Sequence, residues 1–143
     1  MKIESYLFFD GQAEEAMAFY EQALDAKIEA KLRYADCPEP IPDGYMPDGG
    51  AQKILHGSLL LDGQRLMFCD GMADEGGDFH GFGLTLQYAL EGDVRRVFDK
   101  LAEGGNVRMP LGPTFFSPCF GNLVDRFGVQ WMVMVDDPCA MPA

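Results

Sequence analysis

The sequence has no cluster of basic residues, no long apolar run and no closely spaced pair of cysteines, and each absence removes a class of function. Lys and Arg number 11 against 23 Asp and Glu, for a net charge of −12. The adjacent basic pair Arg95 and Arg96 lies within an acidic stretch. Binding a phosphate backbone needs clustered cations, so a nucleic-acid partner is not expected, and an anionic membrane surface is disfavoured for the same reason. The acids are scattered rather than gathered in a tail, which points to solubility. No stretch approaches the roughly eighteen apolar residues of a membrane span. The start, MKIESYLFFDG, lacks the apolar core of a secretion signal, so a cytoplasmic protein with no membrane partner is expected. Cys37, Cys69, Cys119 and Cys139 are far apart, which excludes a CxxC redox motif and a zinc knuckle and predicts free thiols.

What is present suits a globular fold. A chain of 143 residues has the size of one domain and can bury roughly two thirds of its unfolded surface. Ile3 to Phe9 is an apolar, aromatic run that suits a strand, and Asp10-Gly11 ends it, either residue being able to cap a helix. In AEEAMAFYEQAL, Ala16, Phe19, Tyr20 and Ala23 share one face of an amphipathic helix, with Glu14 and Glu15 near its positive end. Lys27 to Tyr34 alternates as a strand does. Residues 36 to 50 hold four prolines with repeated Gly and Asp and predict a long irregular loop. Ile54 to Leu61 and Arg65 to Asp70 read as strands joined at Asp62-Gly63, a strong hairpin signal.

After a Gly- and Asp-rich linker over residues 71 to 80 the order begins again. Gly81 to Tyr88 reads as a strand. A helix over about 93 to 103 presents Val94, Val97, Phe98 and Leu101 on one face, and Gly104-Gly105 ends it. Asn106 to Leu111, Cys119 to Asp125 and Val129 to Val135 supply three more strands. Two copies of a β-α-β-β-β unit, about 1–72 and 80–136, thus predict one α+β domain over 1–143. One helix per unit cannot cover both faces of a sheet, so the two bare faces are expected to pair around a cleft.

The stretches YLFFDGQAEEAMAFY (6 to 20), HGSLLLDGQRLMFCD (56 to 70), FHGFGLTL (79 to 86), FDKLAEGG (98 to 105) and FGNLVDRFGVQWM (120 to 132) together resemble the PhnB-like branch of the glyoxalase/bleomycin-resistance/dioxygenase superfamily. The resemblance spans nearly the whole chain, and D-x-F-G-V-x-W-M is its most specific mark. It implies two tandem βαβββ units whose curved, mixed sheets cup a small-molecule cavity, usually in a homodimer. Some relatives carry a 3-demethylubiquinone methyltransferase label, but no glycine-rich loop follows a strand here as methyl-donor binding would favour.

In metal-dependent members, the resemblance implies that one divalent cation is held by His, Gln or Glu side chains from inward strand faces of both halves. The Glu that normally follows the D-x-x-G turn corresponds to Met132, whose thioether is a poor ligand for a hard ion. At the start of the second half the ligand position falls near Gly81, one residue after His80, and such an offset in a strand would turn the imidazole to the other face. The metal site therefore reads as lost, with no cofactor expected. The cavity-lining candidates are Tyr6, His56, Cys69, Phe116, Phe120 and Met132. His56 could be a ligand or acid/base group, or a strand-end histidine. Tyr6 could donate to a substrate or belong to the core. Cys69 and Cys119 lack a signalled base and read as inert thiols. Phe115, Phe116 and Phe120 could not all be exposed cheaply and should line a cavity or a dimer contact. Trp131 and Met134 read as core or interface. The leading expectation is a small-molecule-binding protein. The alternative is a lyase, isomerase or dioxygenase using Zn, Ni, Mn or Fe held by His56, His80 and a carboxylate such as Glu4 or Asp70. A structural or interaction protein is a third class, credible if the cavity is filled.

Overall fold

The computed structural model describes residues 1–71 and 77–139. The chain divides into two compact units, Met1–Asp78 and Phe79–Ala143. In the first, strand β1 (Ser5–Phe9) leads into helix α1 (Ala13–Ala23), then β2 (Lys27–Arg33), β3 (Ile54–Leu61) and β4 (Gln64–Asp70). These strands form one sheet in the order β1-β4-β3-β2, with β1 parallel to β4 and the other pairs antiparallel. The second unit has β5 (Leu84–Tyr88), α2 (Glu91–Ala102), β6 (Asn106–Gly112), β7 (Phe120–Val124) and β8 (Gln130–Val135) in the corresponding order β5-β8-β7-β6. The expected repeat is present, and no helix among the described residues is long and apolar enough to cross a membrane.

Backbone pairing puts the units in residue-by-residue correspondence. The amide of Gly71 donates to Phe9 O at 2.9 Å, and that of Asp136 to Tyr88 O at 2.8 Å, so Phe9 answers to Tyr88 and Asp70 to Val135. The same register matches Gly57 on β3 with Gly121 on β7. Both lie under the helix of their unit. A Cβ at Gly57 would sit 2.5 Å from Met17 Sδ, and one at Gly121 would sit 2.7 Å from a Phe98 ring carbon. Only a residue without a side chain lets the helix approach so closely. Asp62 (φ 46°) and Gly63 (φ 79°) close the β3–β4 hairpin in the left-handed backbone region, as Asp-Gly predicted.

Several boundaries depart from the sequence reading. β1 starts at Ser5, because Ile3 is 91% exposed and gains nothing from pairing. β5 starts at Leu84 rather than Gly81, since Gly81 takes φ 78°. In α1 Met17 is buried in place of Phe19, so the apolar stripe is Ala13, Ala16, Met17, Tyr20 and Ala23. Tyr34 leaves β2 for a single-turn 3-10 helix, from which its hydroxyl donates to Asp70 O. Residues 72–76 of the expected linker lie outside the described residues; Gly77 N donates to Phe8 O at 2.7 Å.

The cap of α1 is the largest correction, because neither Asp10 nor Gly11 supplies it. The capping position is Gln12, whose side chain makes no capping bond. Asp70 reaches over from the end of β4 instead. Its fully buried carboxylate accepts from Gly11 N at 2.8 Å, Ala13 N at 3.0 Å and Ile54 N at 3.0 Å. One side chain thereby joins the ends of β1, α1, β3 and β4. Asp70→Ala would leave three buried donors unpaired and should cost about 3 kcal/mol or more in urea unfolding. A loss below about 1 kcal/mol would mean that water takes over those bonds.

Candidate functional site

In the first unit, strand alternation turns Leu7, Phe9, Leu66 and Phe68 toward α1, where Phe68 stacks on Tyr20 at 5.9 Å. It turns Tyr6, Phe8, Met67 and Cys69 the other way. His56 and Ser58 join them from β3. Leu32 opposes His56 while Arg33 opposes Ile54, so Leu55 is the extra residue of a bulge beside His56. The Tyr6 hydroxyl lies 3.0 Å from His56 Nδ1, and its ring stacks on Phe8 at 5.0 Å. Burial, then the neighbouring Cys69, push the Tyr6 phenol well above its usual range, so it is a neutral donor. Cys69 is fully buried, which removes it from attack on a dissolved substrate. Tyr6, His56 and Cys69 are thus on one face, as a shared role would need.

Further along that face the chain satisfies its own charges. Arg65 donates from Nε to Glu29 Oε2 at 2.6 Å, from Nη2 to Glu29 Oε1 at 2.8 Å and from Nη1 to Glu4 Oε1 at 3.1 Å. Ser58 Oγ donates to Glu29 Oε2 at 3.0 Å. Glu29 is the extra residue of a bulge in β2, since Ile28 opposes Leu59 and Ala30 opposes Ser58. Hydrogen bonds from Arg65 and then Ser58 bring its pKa down to about 2.

In the second unit, Gly121, Trp131 and Val133 lie on the helix side, while Phe120, Asn122, Met132 and Met134 point away. Asn122, Met132, Arg108, Gln130, Phe82 and Gly83 are among the residues lining a cavity of about 340 Å³. Asn122 Oδ1 is buried without a hydrogen-bond partner. Arg108 is the extra residue of a bulge in β6, because Val107 opposes Leu123 and Met109 opposes Asn122. Beside β7, Thr114 Oγ1 accepts from Phe116 N and Ser117 N at 3.3 and 3.1 Å. This turn sets Phe116 edge-on to the buried Phe120 at 5.0 Å. Phe115, however, is 79% exposed, so the three phenylalanines do not share one environment. Cys119 is buried, and burial raises its thiol pKa.

The D-x-F-G-V-x-W motif is structural. Asp125 Oδ1 accepts from Phe127 N and Val129 N at 2.9 and 3.1 Å, and Oδ2 accepts from the indole of Trp131 at 2.8 Å. Of the proposed metal ligands, Glu4 is bound to Arg65, Asp70 holds three amides, and His56 meets Tyr6. His80 and Gly81 belong to the other unit and precede β5, so the alternation argument does not apply to them. Among the described residues, no group of three or more His, Cys, Asp or Glu side chains is placed to hold a metal ion. Arg108, Asn122 and Gln130 were not singled out from sequence. Their correspondence with Glu29, Ser58 and Arg65 rests on strand register and on bulges that local sequence pattern does not show.

Comparison with known proteins gives concordant results. The family model described as Glyoxalase/Bleomycin resistance protein/Dioxygenase superfamily matches residues 2–133. Protein YjdN of Escherichia coli (strain K12) is 32% identical over 143 aligned residues, covering 94% of this chain and 95% of its own. The crystal structure of protein PA1353 from Pseudomonas aeruginosa is 37% identical with a TM-score of 0.82, over 95% of this chain and 98% of that one. The PhnB protein from Bacillus cereus is 32% identical with a TM-score of 0.76, over 94% and 99% respectively.

The Glu29 carboxyl should titrate near pH 2 by carbon-detected NMR, and Arg65→Met should return it toward 4.5. Because the folded pKa is depressed, this interaction supports the fold fully above pH 4.5 and fades as pH falls toward 2. An unchanged midpoint in Arg65→Met would show that the contacts do not persist in solution.

Proposed function

The chain belongs to the PhnB-like branch of the glyoxalase/bleomycin-resistance/dioxygenase superfamily, and from that premise we propose that it binds a small molecule on strand faces turned away from its helices, without the superfamily's divalent-metal centre. The observation that carries this reading is the chemistry of two corresponding rungs. Tyr6 pairs with Met67 across β1 and β4, and Thr85 with Met132 across β5 and β8. Metal-dependent relatives are expected to present carboxylates and imidazoles from such strands, and here stand a neutral phenol, a hydroxyl and two thioethers. These donors do not fit a hard divalent cation. Enlisting Glu4 or Asp70 instead would mean breaking an ion pair or uncapping α1.

Tyr6 and His56 offer a small molecule a polar contact flanked by Phe8, and Met132 with Phe82 gives the second unit an apolar surface of its own. A polar contact set in apolar surroundings is the usual make-up of a small-molecule site. The family resemblance adds a homodimer to this reading.

Untagged protein purified without chelator should carry far less than one Zn, Ni, Mn or Fe per chain by elemental mass spectrometry, even after reconstitution. About one bound metal per chain, lost in His56→Ala, would overturn the reading in favour of a lyase, isomerase or dioxygenase. Native mass spectrometry on gently purified protein should retain a bound organic adduct. A fully ligand-free spectrum, with no binding in a metabolite screen, would instead favour a structural or interaction role. Sedimentation should give about twice the 15.8 kDa of one chain at micromolar concentration.

A further inference from the structure

The two units place different chemistry on the same rungs, and the difference defines a ligand. Register equates Ser58 with Asn122, Arg65 with Gln130 and the bulge residue Glu29 with the bulge residue Arg108. It also equates Glu4 with Gly83, one residue before the pairs Ser5–Leu66 and Leu84–Trp131. In the first unit these positions close on themselves, the carboxylates of Glu4 and Glu29 taking the Arg65 guanidinium and the Ser58 hydroxyl. In the second unit both carboxylates are gone. Gly83 leaves space where Glu4 stands, and Arg108 brings a cation where Glu29 brings an anion. Arg108 makes no ion pair among the described residues, and Asn122 Oδ1 is buried with its acceptor unused.

We infer that the cavity of the second unit takes from a ligand the carboxylate that the first unit takes from its own chain. The ligand is a small hydroxycarboxylate, its anionic group on the Arg108 guanidinium and its hydroxyl donating to Asn122 Oδ1. Guanidinium and carboxylate make charge-assisted bonds of matched geometry. A buried acceptor discriminates strongly for a ligand that brings a donor, because a ligand without one leaves it unpaired. Met132 and Phe82 give the carbon skeleton an apolar surface. A free cation in a chain of net charge −12 also makes the site selective, since the surrounding charge disfavours anions elsewhere on the surface. This inference deepens the small-molecule reading above and rests on it.

Calorimetric titration of the full chain, dialysed free of small molecules, with L-lactate, acetate, lactamide and inorganic phosphate tests it. Lactate should bind once per chain, more tightly than acetate, which lacks the hydroxyl, and than lactamide, which lacks the charge. Arg108→Gln, a change at an exposed position, should weaken lactate binding by about tenfold or more. Glu29→Gln, at the corresponding position of the first unit, should leave it unchanged. Equal binding of lactate by the wild type and Arg108→Gln would overturn the assignment, and so would phosphate or acetate binding as well as lactate. If lactate fails to bind while a copurifying compound binds the wild type and Arg108→Gln alike, the oxyanion site falls and the small-molecule reading stands. If nothing binds, both fall.

Discussion

The buried carboxylate of Asp70 is the interaction on which the first unit depends. A parallel β1–β4 pair needs the chain to leave β1, cross through α1 and return, and the start of that crossover exposes amides with no strand partner. Asp70 accepts two of them and a third from the start of β3. An anion at a helix start is favoured by the helix dipole as well as by the bonds themselves. The same carboxylate would be a plausible metal ligand from sequence alone, and its commitment to three amides is what removes it from that role. In the second unit the corresponding position is Val135, whose carbonyl lies 2.8 Å from the buried Ser117 hydroxyl. Asp125 there performs the comparable service for a turn and the single tryptophan.

Two units with one scaffold thus divide their polar residues differently. In the first, charges are matched within the chain, and Glu29, Arg65, Glu4 and Ser58 form a closed set. In the second, the same rungs hold Arg108, Gln130, Gly83 and Asn122, and the set is open. The bulges in β2 and β6 matter equally to both, because each inserts one residue opposite the same point of the neighbouring strand and re-aims its side chain. Duplication of a fold allows this division, since one copy can keep a self-contained network while the other gives up internal bonds for recognition.

The repeat, both helices, the hairpin at Asp62-Gly63 and the turn at Asp125 were legible because each rests on local pattern: apolar spacing, paired turn residues or a residue tolerant of unusual φ. Met132 was reached only through the resemblance, which places the Glu of metal-dependent relatives at this point after the D-x-x-G turn. The cap of α1 was not legible, since Asp70 lies 57 residues from Ala13. Met17 and Phe19 flank the stripe of Ala16, Tyr20 and Ala23 on opposite sides, and the close approach of the helix to Gly57, a long-range contact, buries Met17. His56 and Tyr6 were named separately, but nothing in the spacing of residues fifty apart foretold that they would meet.

By itself the sequence determined the order of elements, the duplication and the kinship of the chain, because these follow from periodicity and from motifs read within a few residues. The tertiary structure alone decided which side chains share a face and which are already occupied. That depends on strand register and on bulges, where a shift of one residue reverses every side chain beyond it. Arg108, an ordinary exposed arginine in the sequence, becomes notable only when its rung is set beside that of Glu29.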